Sequence, residues 1–265
     1  MKKITVIGGD KRLKIAEKQL TEKGFSVNTV GLYDNDSGNI ADGDVLLLPV
    51  PTTKDGETVF APFAKRKIFL EEIADKADNR LLLTCNYDFK GKNCVDYGKL
   101  DSYSLLNAIP TAEGAIKLAI ENTSFTLWQS RVLVIGYGRV GKVLADRLKG
   151  LGAYVTVSAR KPSDFALIKA LGYNAVETQT VSDSLSDYDI VFNTVDVKVI
   201  DERVFENCSV KLLIDLSSKG GFDLPAARDC GIPALTAPGL PGLCAPLTAG
   251  KILAETVTEI LSLYI

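Results

Sequence analysis

Short apolar runs with strand character alternate with segments of helical periodicity, and this alternation restricts the fold more than any other feature of the chain. In the first half, the predicted strands are Ile4–Ile7, Ser26–Val30, Val45–Leu48 and Leu81–Thr84. The second series comprises Arg131–Ile135, Tyr154–Ser158, Ile190–Asn193, Leu212–Leu216 and a weaker Pro233–Thr236. Strands that alternate with helices favour parallel sheets covered by helices. Because the series restarts within 265 residues, we predict two α/β domains, each a doubly wound parallel sheet.

The predicted helices set the domain boundaries. Helical spacing marks Leu13–Lys23 and Ile68–Lys76, and Thr111–Asn122 is predicted as a further helix, with Thr111 as its N-cap after Pro110. We therefore assign residues 1–110 and 243–265 to an N-terminal domain, 111–125 to a bridging helix and 126–242 to a second domain. The C-terminal segment is expected to return to the first domain because its apolar residues form one face of a helix: Leu253, Val257, Ile260, Leu261 and Tyr264.

Composition excludes several classes of function. The chain contains no histidine, which rules out Ser-His-Asp and Cys-His catalysis and His-based metal sites, and we predict no metal. With 31 basic and 33 acidic residues, it has no basic field for nucleic acid. Lys251, Glu255 and Glu259 interrupt the apolar C-terminal stretch, so no membrane span is expected. Five scattered cysteines without a C-x-x-C pair indicate reduced thiols and a cytoplasmic location.

A glycine motif in the second domain predicts a cofactor. Gly136-Tyr137-Gly138-Arg139-Val140-Gly141 has the spacing G-x-G-x-x-G, follows the strand Arg131–Ile135 directly and opens a segment of helical periodicity. In that position the glycines allow a tight turn, close approach of the backbone to a pyrophosphate, and close packing of helix on strand. We therefore predict a Rossmann domain that binds a dinucleotide through these six residues.

The end of the next predicted strand favours NADP over NAD. An NAD site usually presents Asp or Glu there, whereas this chain has Ser158-Ala159-Arg160-Lys161, with Asp164 further along. The hydroxyl of Ser158 and the cations of Arg160 and Lys161 suit a 2′-phosphate; the alternative is a solvated loop. Later strand ends should flank the nicotinamide, which makes a final group of residues candidate backbone contacts: Thr194, Val195, Leu216 and Ser217.

Candidate substrate residues lie in three further segments. Gly8-Gly9-Asp10-Lys11-Arg12 follows the first strand without a third glycine; it either holds a carboxylate with the help of Arg12, or uses Asp10 as a helix N-cap with Arg12 on the surface. Glu113 could act as an acid or base if burial shifts its pKa, or could only complement the helix dipole. Pro238-Gly239-Leu240-Pro241-Gly242 is predicted as a rigid hinge or cleft wall.

Several strings together resemble the family of dipicolinate synthase A subunits along nearly the whole chain. They are Gly8-Gly9-Asp10 with Arg12, Asn107–Gly114, Gly136–Gly141, Pro238–Gly242, Ala245-Pro246 and Thr248-Ala249-Gly250. The resemblance implies NADP-dependent oxidation of dihydrodipicolinate to dipicolinate in sporulating bacteria. Two departures concern the substrate side: Lys219 stands where the family often has arginine, and Asn122 where a histidine is expected.

What the resemblance implies for the site is hydride transfer to NADP in a cleft between the domains. Arg12 and Lys219 would bind the two carboxylates and Glu113 would accept the proton, with Thr111 beside it at the start of the bridging helix. The implied partners are a small dicarboxylate, the flavoprotein-like B subunit of dipicolinate synthase and further copies of this chain. Two alternatives stay open. One is another two-domain amino-acid or hydroxy-acid dehydrogenase, and the other is a non-catalytic protein that binds NADP.

Overall fold

The computed structural model describes residues 2–34, 36, 39–200 and 202–264. The strands in this part of the chain, β1 to β11, are Lys3–Ile7, Ser26–Val30, Val45–Leu47, Leu81–Thr84, Cys94–Asp96, Arg131–Ile135, Tyr154–Ala159, Asn174–Glu177, Ile190–Asn193, Leu212–Asp215 and Ala234–Thr236. The α-helices, α1 to α8, are Lys11–Glu22, Leu70–Lys76, Asp101–Glu121, Arg139–Gly150, Pro162–Ala170, Leu224–Asp229, Leu240–Cys244 and Pro246–Leu263. All nine predicted strands are present, each within one residue of its predicted bounds.

The chain divides into two compact units. The first contains Met1–Asn107 and Pro241–Ile265, and the second contains Ala108–Leu240. Residues 111–125 thus belong to the second unit. Each unit holds one wholly parallel sheet, which confirms the prediction of two parallel α/β domains.

The sheet of the first unit has the order β2-β1-β3-β4-β5, one of the two common doubly wound orders. Successive residues of its strands enter different cores, because side chains alternate across a strand. Val45 and Leu47 pack in the core that contains residues of α1 and α8. Leu46 lies in the core on the other face, with Ile73 of α2. Both faces are therefore buried, as expected for a parallel sheet.

Helix α8 packs against α1 in the first unit, as the sequence pattern predicted. Its residues Leu253, Val257 and Leu261 are fully buried in the same core as the inner face of α1. The two helices approach closely at Gly250, where a Cβ would lie 2.6 Å from the carbonyl oxygen of Arg12. Tyr264, predicted on the buried face, follows the end of α8 and is half exposed.

The sheet of the second unit has the order β11-β10-β9-β6-β7-β8. Counted from β6, this is 6-5-4-1-2-3, the strand order of a Rossmann domain. The order reverses between β6 and β9, which are hydrogen-bonded neighbours. Ligands of such sheets bind beyond the carboxyl ends of the strands at this reversal. The topology therefore predicts a ligand site at the residues that follow Ile135 and Asn193.

The predicted start of a helix at Thr111 is wrong. Helix α3 begins at Asp101 and runs through Pro110, so Thr111 lies in its interior and is not an N-cap. Proline removes one helical N–H donor and usually marks a boundary, which explains the error. The helix continues because its buried stripe does: Ala108, Ala112, Ala115 and Ala119 are all buried at helical spacing on both sides of the proline.

Candidate functional site

The turn between β6 and α4 places its three glycines in three different environments. Gly136 has a φ of +98°, a conformation that favours glycine, and a Cβ there would lie 2.6 Å from Val195 Cγ1. Gly138 is the N-cap of α4, and nothing lies within 4 Å of the position its Cβ would take. Gly141 packs so closely on the carbonyl of Gly136 that a side chain would overlap it. The turn has the tight bend, open face and close helix packing expected of a dinucleotide motif.

The amino end of α4 suits an anion. Gly138 provides no side chain to cap the first N–H groups of the helix, and the first turn of α4 carries no acidic residue. Arg139 and Val140 contribute their backbone to this turn. Since a helix N-terminus combines unpaired N–H donors with a partial positive charge, a pyrophosphate fits here.

A cavity of about 620 Å³ opens beside the turn. One wall is formed by Gly136–Gly138, a second by residues 159–161 with Asp164 beyond the end of β7, and a third by Val195 and residues 197–199 beyond the end of β9. It lies at the reversal of strand order, where doubly wound sheets bind nucleotides, and its size is typical of ligand sites. Its residues therefore fit a nicotinamide dinucleotide.

Charges of both signs border this cavity. Arg160 and Lys161 line it and are exposed, and within residues 2–34, 36, 39–200 and 202–264 neither forms an ion pair. Asp164, in the first turn of α5, is a third lining residue. The cavity thus contains cations that suit a 2′-phosphate and also a carboxylate of the kind that binds ribose hydroxyls.

Ser158 does not contact the cavity, contrary to the prediction that its hydroxyl helps bind a phosphate. The residue is fully buried, and its Oγ accepts a hydrogen bond from the Gly136 N–H at 3.2 Å and pairs with Thr178 Oγ1 at 3.1 Å. It is part of β7 and its side chain is directed inward. Ser158 therefore stabilises the glycine turn.

The residues predicted near the nicotinamide divide into two groups. Thr194 fixes the end of β9 to the glycine turn, because its N–H and Oγ–H both donate to the carbonyl of Ile135, at 3.0 and 2.8 Å. Val195 lines the cavity. Leu216 and Ser217 instead bond to the ends of β9 and β10: the Leu216 N–H donates to the Asn193 carbonyl, and the Ser217 hydroxyl donates to Asp215 at 2.7 Å.

The glycine turn of the first unit is closed by the protein itself. The Gly9 N–H donates to the Phe60 carbonyl at 2.8 Å, and the Gly8 N–H donates to the Val30 carbonyl at 2.8 Å. Asp10 is the N-cap of α1, and its Oδ1 accepts the Arg12 N–H at 2.9 Å. Of the two interpretations of this segment, the N-cap is confirmed, and these backbone donors are not directed at a ligand.

Arg12 lies in the interior, so neither the predicted surface position nor a carboxylate clamp describes its arrangement. The residue is 4% exposed, its Nη2 lies 2.8 Å from Asp10 Oδ2, and the same nitrogen donates to the Val50 carbonyl at 2.5 Å. Burial by itself lowers the pKa of Arg12, but the hydrogen bonds and charge of Asp10 outweigh it and raise the pKa above its ordinary value. The charge of Arg12 is thus already paired within the unit.

Part of the predicted hinge packs on this ion pair. Residues Leu240–Cys244 form the short helix α7, so the last three residues of the Pro238–Gly242 string are helical and only its first two form a loop. A Cβ on Gly242 would lie 2.6 Å from Asp10 Oδ2 and 2.9 Å from Arg12 Nε. A glycine at this position allows the returning chain to pass directly over the Asp10–Arg12 pair.

Glu113 and Thr111 lie on α3, away from the glycine turn. The Glu113 side chain is 58% exposed, and its Oε1 lies 3.1 Å from Arg147 Nε. Arg147 follows the first residue of α4 by eight positions, which corresponds to about 12 Å along the helix from the anion-binding end. Burial, on which the acid–base hypothesis for Glu113 depends, is therefore absent. Thr111 is half-buried within α3.

Sequence reasoning treated Asn193 only as a strand end and missed Asp215, and the side chains of these two residues organise the loops after β9 and β10. Asn193 and Asp215 end these neighbouring strands, are opposite each other in register, and share a hydrogen bond of 2.9 Å. Both are almost completely buried. The available signal was a polar residue at the carboxyl end of an apolar strand in each case, since adjacent parallel strands bring their carboxyl ends together.

Two further observations bear on the class of protein. No helix in the described part of the chain is long and apolar enough to cross a membrane. Among the same residues, no group of three or more cysteine, aspartate or glutamate side chains is arranged to hold a metal ion. The candidate site is the glycine turn with the cavity beside it.

The two sheets and this cavity define a two-domain NAD(P)-binding protein with a dehydrogenase-like fold. A family model of NAD(P)-binding domains matches residues 124–222, and the model of the N-terminal domain of the dipicolinate synthase A subunit matches residues 3–103. The dipicolinate synthase A subunit of Bacillus subtilis (strain 168) is 34% identical over 285 residues, which cover 98% of this chain and 96% of the relative. The chain belongs to the family of dipicolinate synthase A subunits.

Solved structures agree with this assignment. The dipicolinate synthase A subunit from Bacillus halodurans has a TM-score of 0.88 at 32% identity, with 98% of this chain and 97% of that chain covered. The A chain of dipicolinate synthase from Bacillus subtilis gives 0.87 at 32% identity, with 98% and 95% covered. D-lactate dehydrogenase from Escherichia coli gives 0.64 at 15% identity over 99% and 96% of the chains, a likeness of fold alone. The family resemblance drawn from the sequence strings is confirmed.

Proposed function

We propose that this chain oxidises dihydrodipicolinate, formed from 4-hydroxy-tetrahydrodipicolinate, to dipicolinate with NADP⁺ as the acceptor. The observation that carries the proposal is the open turn at Gly138, beside a cavity bordered by Arg160 and Lys161, in a member of this family. The relatives are named as dipicolinate synthases, and the fold suits an oxidoreductase.

The reaction needs orientation more than a strong nucleophile. Dihydrodipicolinate loses a hydride and one proton, and the ring becomes aromatic, so one dihydrodipicolinate and one NADP⁺ give one dipicolinate, one NADPH and one proton. The nicotinamide, when bound, supplies the hydride acceptor. What remains for the protein is to hold the ring against the nicotinamide and to let the proton leave. A chain without histidine can perform both tasks.

The cofactor is held at two points. The first-turn N–H groups of α4 bind the pyrophosphate, and Gly138 leaves the space for it. Arg160 and Lys161 bind the 2′-phosphate, where a guanidinium can donate two parallel hydrogen bonds. This second contact is the basis for proposing NADP over NAD.

On the substrate side, Lys219 binds one carboxylate of the dihydropyridine. It is exposed on the loop after β10, next to the strand end at the reversal of strand order. A lysine or water accepts the proton in preference to Glu113, because Glu113 is paired with Arg147 at the far end of α4. Exchange of Glu113 for Gln should then leave turnover unchanged, and a large loss of turnover with intact NADPH binding would return Glu113 to the mechanism.

The relatives are named as one lettered component of a synthase, which implies a second component. We propose the flavoprotein-like B subunit as that partner for this chain, together with self-association of the chain. A requirement for the partner must be separated from a purely cofactor-binding role, since both give an isolated chain that binds NADPH without turnover.

An ultraviolet assay tests the proposal. Fresh product of dihydrodipicolinate synthase is mixed with NADP⁺ and this chain, with and without a matching B subunit, while dipicolinate and NADPH are followed together. Equal formation of both supports the reaction, and the sample without partner shows whether the chain suffices. Gly138→Ala serves as the control, since it should fold and need about tenfold to a hundredfold more NADP⁺ for the same turnover. If neither product forms with the partner present while NADPH binds, the proposed reaction is refuted.

A further inference from the structure

The carboxylate of Asp215 is used almost entirely to organise one loop. Asp215 ends β10 and is 1% exposed. Its Oδ2 accepts the Gly221 N–H at 2.6 Å, and its Oδ1 accepts the N–H and the Oγ–H of Ser217 at 3.0 and 2.7 Å. The fourth donor is Asn193 Nδ2 at 2.9 Å. Three of these four bonds thus come from the segment Leu216–Gly221.

The protonation state of Asp215 fits this arrangement. Burial alone raises its pKa, but the hydrogen bonds from Gly221, Ser217 and Asn193 outweigh burial and bring the pKa below the ordinary value for aspartate. The group is therefore an anion surrounded by donors, and such charge-assisted bonds are the stronger kind. A neutral amide of the same shape has only one oxygen that can accept hydrogen bonds, whereas both oxygens of Asp215 accept them here.

The same loop is fixed to the loop after β9. The Ser218 N–H and hydroxyl both donate to Asp196 Oδ1, at 2.8 and 3.0 Å, and the Val199 N–H donates to the Gly221 carbonyl at 3.3 Å. Gly221 lies so close to the Asn193 amide that a Cβ would overlap it. Val199 also lines the cofactor cavity. The loop after β10 is thus anchored on both sides of its apex and connected to the cavity wall.

The apex of this loop carries Lys219. Ser217 and Ser218 are anchored before it and Gly221 after it, whereas the side chain of Lys219 itself is exposed. We propose that Asp215 is a positioning residue, which holds the Leu216–Gly221 loop so that Lys219 meets a carboxylate of the substrate. This inference rests on the proposed function, because it takes the ligand of Lys219 to be a pyridine dicarboxylate.

The test is a double-mutant cycle on binding of dipicolinate to the full chain saturated with NADPH, measured by calorimetry. Asp215→Asn and Lys219→Ala should each weaken dipicolinate binding by about tenfold, the effect of losing one charge-assisted contact. The double variant should bind dipicolinate no more weakly than Lys219→Ala alone. Once the Lys219 amine is removed, disorder of the loop has no carboxylate-binding group left to displace. NADPH binding should stay within about twofold in all three.

Asp189→Asn is the matched control. Asp189 is another largely buried carboxylate of the second unit, but it lies directly before β9 and accepts hydrogen bonds from the Arg131 N–H at 2.8 Å and Lys211 Nζ at 3.1 Å. It should not change dipicolinate binding, although it too loses hydrogen bonds. Hydrogen exchange of the Ser217 and Gly221 amides gives a second readout. Exchange should be faster in Asp215→Asn and unchanged in Asp189→Asn.

Ser217→Ala replaces Asp215→Asn if the latter does not fold, because it removes one donor and keeps the carboxylate. Its smaller loss of dipicolinate affinity should also vanish in the Lys219→Ala background. Additive losses in the cycle, an equal loss in the Asp189→Asn control, or unchanged affinity in Asp215→Asn would each overturn the inference while the proposed function stands. A wild-type chain that binds NADPH but no dipicolinate would refute both.

Discussion

Replacement of Gly138 by alanine separates the stability of the glycine turn from its role in binding. The residue has φ and ψ of −80° and −162°, which other residues adopt readily, and its Cβ would meet no atom within 4 Å. As an N-cap, alanine is poorer than glycine by about 0.5–1 kcal/mol. It recovers about 0.4–1 kcal/mol by restricting the unfolded chain. The free energy of unfolding should therefore change by less than about 1 kcal/mol.

Binding should respond much more strongly. The added methyl group occupies the face on which the pyrophosphate must approach the first turn of α4. Loss of even one hydrogen bond to a charged phosphate costs about 1.5–3 kcal/mol, which is roughly a tenfold to hundredfold increase in the Kd of NADPH. Calorimetry with NADPH measures this increase, and urea denaturation measures the stability of the same sample.

Gly141→Ala provides the contrast. A Cβ at Gly141 overlaps the Gly136 carbonyl, so this variant should lose about 1–3 kcal/mol of folding free energy even without cofactor. If Gly138→Ala folds normally and binds NADPH within about twofold of wild type, the pyrophosphate does not lie at this turn. The assignment of the cofactor site would then be wrong.

Three further predictions concern other parts of the molecule. Arg160→Ala should weaken NADPH binding by about tenfold to a hundredfold, but NADH binding by less than about twofold, because only NADPH has the 2′-phosphate that loses its partner. Titration with both cofactors checks this, and equal losses of affinity would contradict it. Gly242→Ala should lower the free energy of unfolding by about 1–3 kcal/mol, since its Cβ would lie 2.6 Å from Asp10 Oδ2; an unchanged urea midpoint would contradict the close approach. The pKa of Asp215 is depressed in the fold, so its stabilisation is present above its unfolded pKa of about 3.9 and is lost as the pH falls through the folded pKa. The difference in Tm between wild type and Asp215→Asn should therefore narrow below about pH 4, and a difference independent of pH would exclude this linkage.

The positions of the central strands could be predicted because local composition decides them. Arg131–Ile135 and Ile190–Asn193 lie inside their sheet and are mostly apolar runs with β-branched residues, and their predicted and observed bounds coincide. The missed strands are of a different kind. Cys94–Asp96 has three residues at a sheet edge, and Asn174–Glu177 has both ends exposed at another edge. These two edge strands bury little side-chain area, so they leave a weak hydrophobic signal.

The candidate site was predictable where backbone conformation alone determines function. Spacing and context suffice for Gly136, Gly138 and Gly141 because the motif depends on the absence of side chains. The direction and partners of polar side chains are a different matter. Ser158 contacts the turn because it belongs to β7 and faces inward, and Glu113 meets Arg147, 34 positions away. Only the assembled fold determines such contacts.

Both units have doubly wound sheets with a glycine turn after their first strand, yet only at the second turn does the protein leave the helix N-terminus open. At α1, the negative charge that a helix N-terminus favours is already supplied by Asp10, which is held by Arg12, and the Gly9 N–H is satisfied by the Phe60 carbonyl. At α4, the N-cap residue Gly138 has no carboxylate, and no atom lies within 4 Å of the position its Cβ would take. A dinucleotide at the first turn would have to displace a nearly buried ion pair, which costs several kcal/mol. The topology therefore permits two nucleotide sites per chain, and the occupancy of the α1 N-terminus by Asp10 reduces them to one.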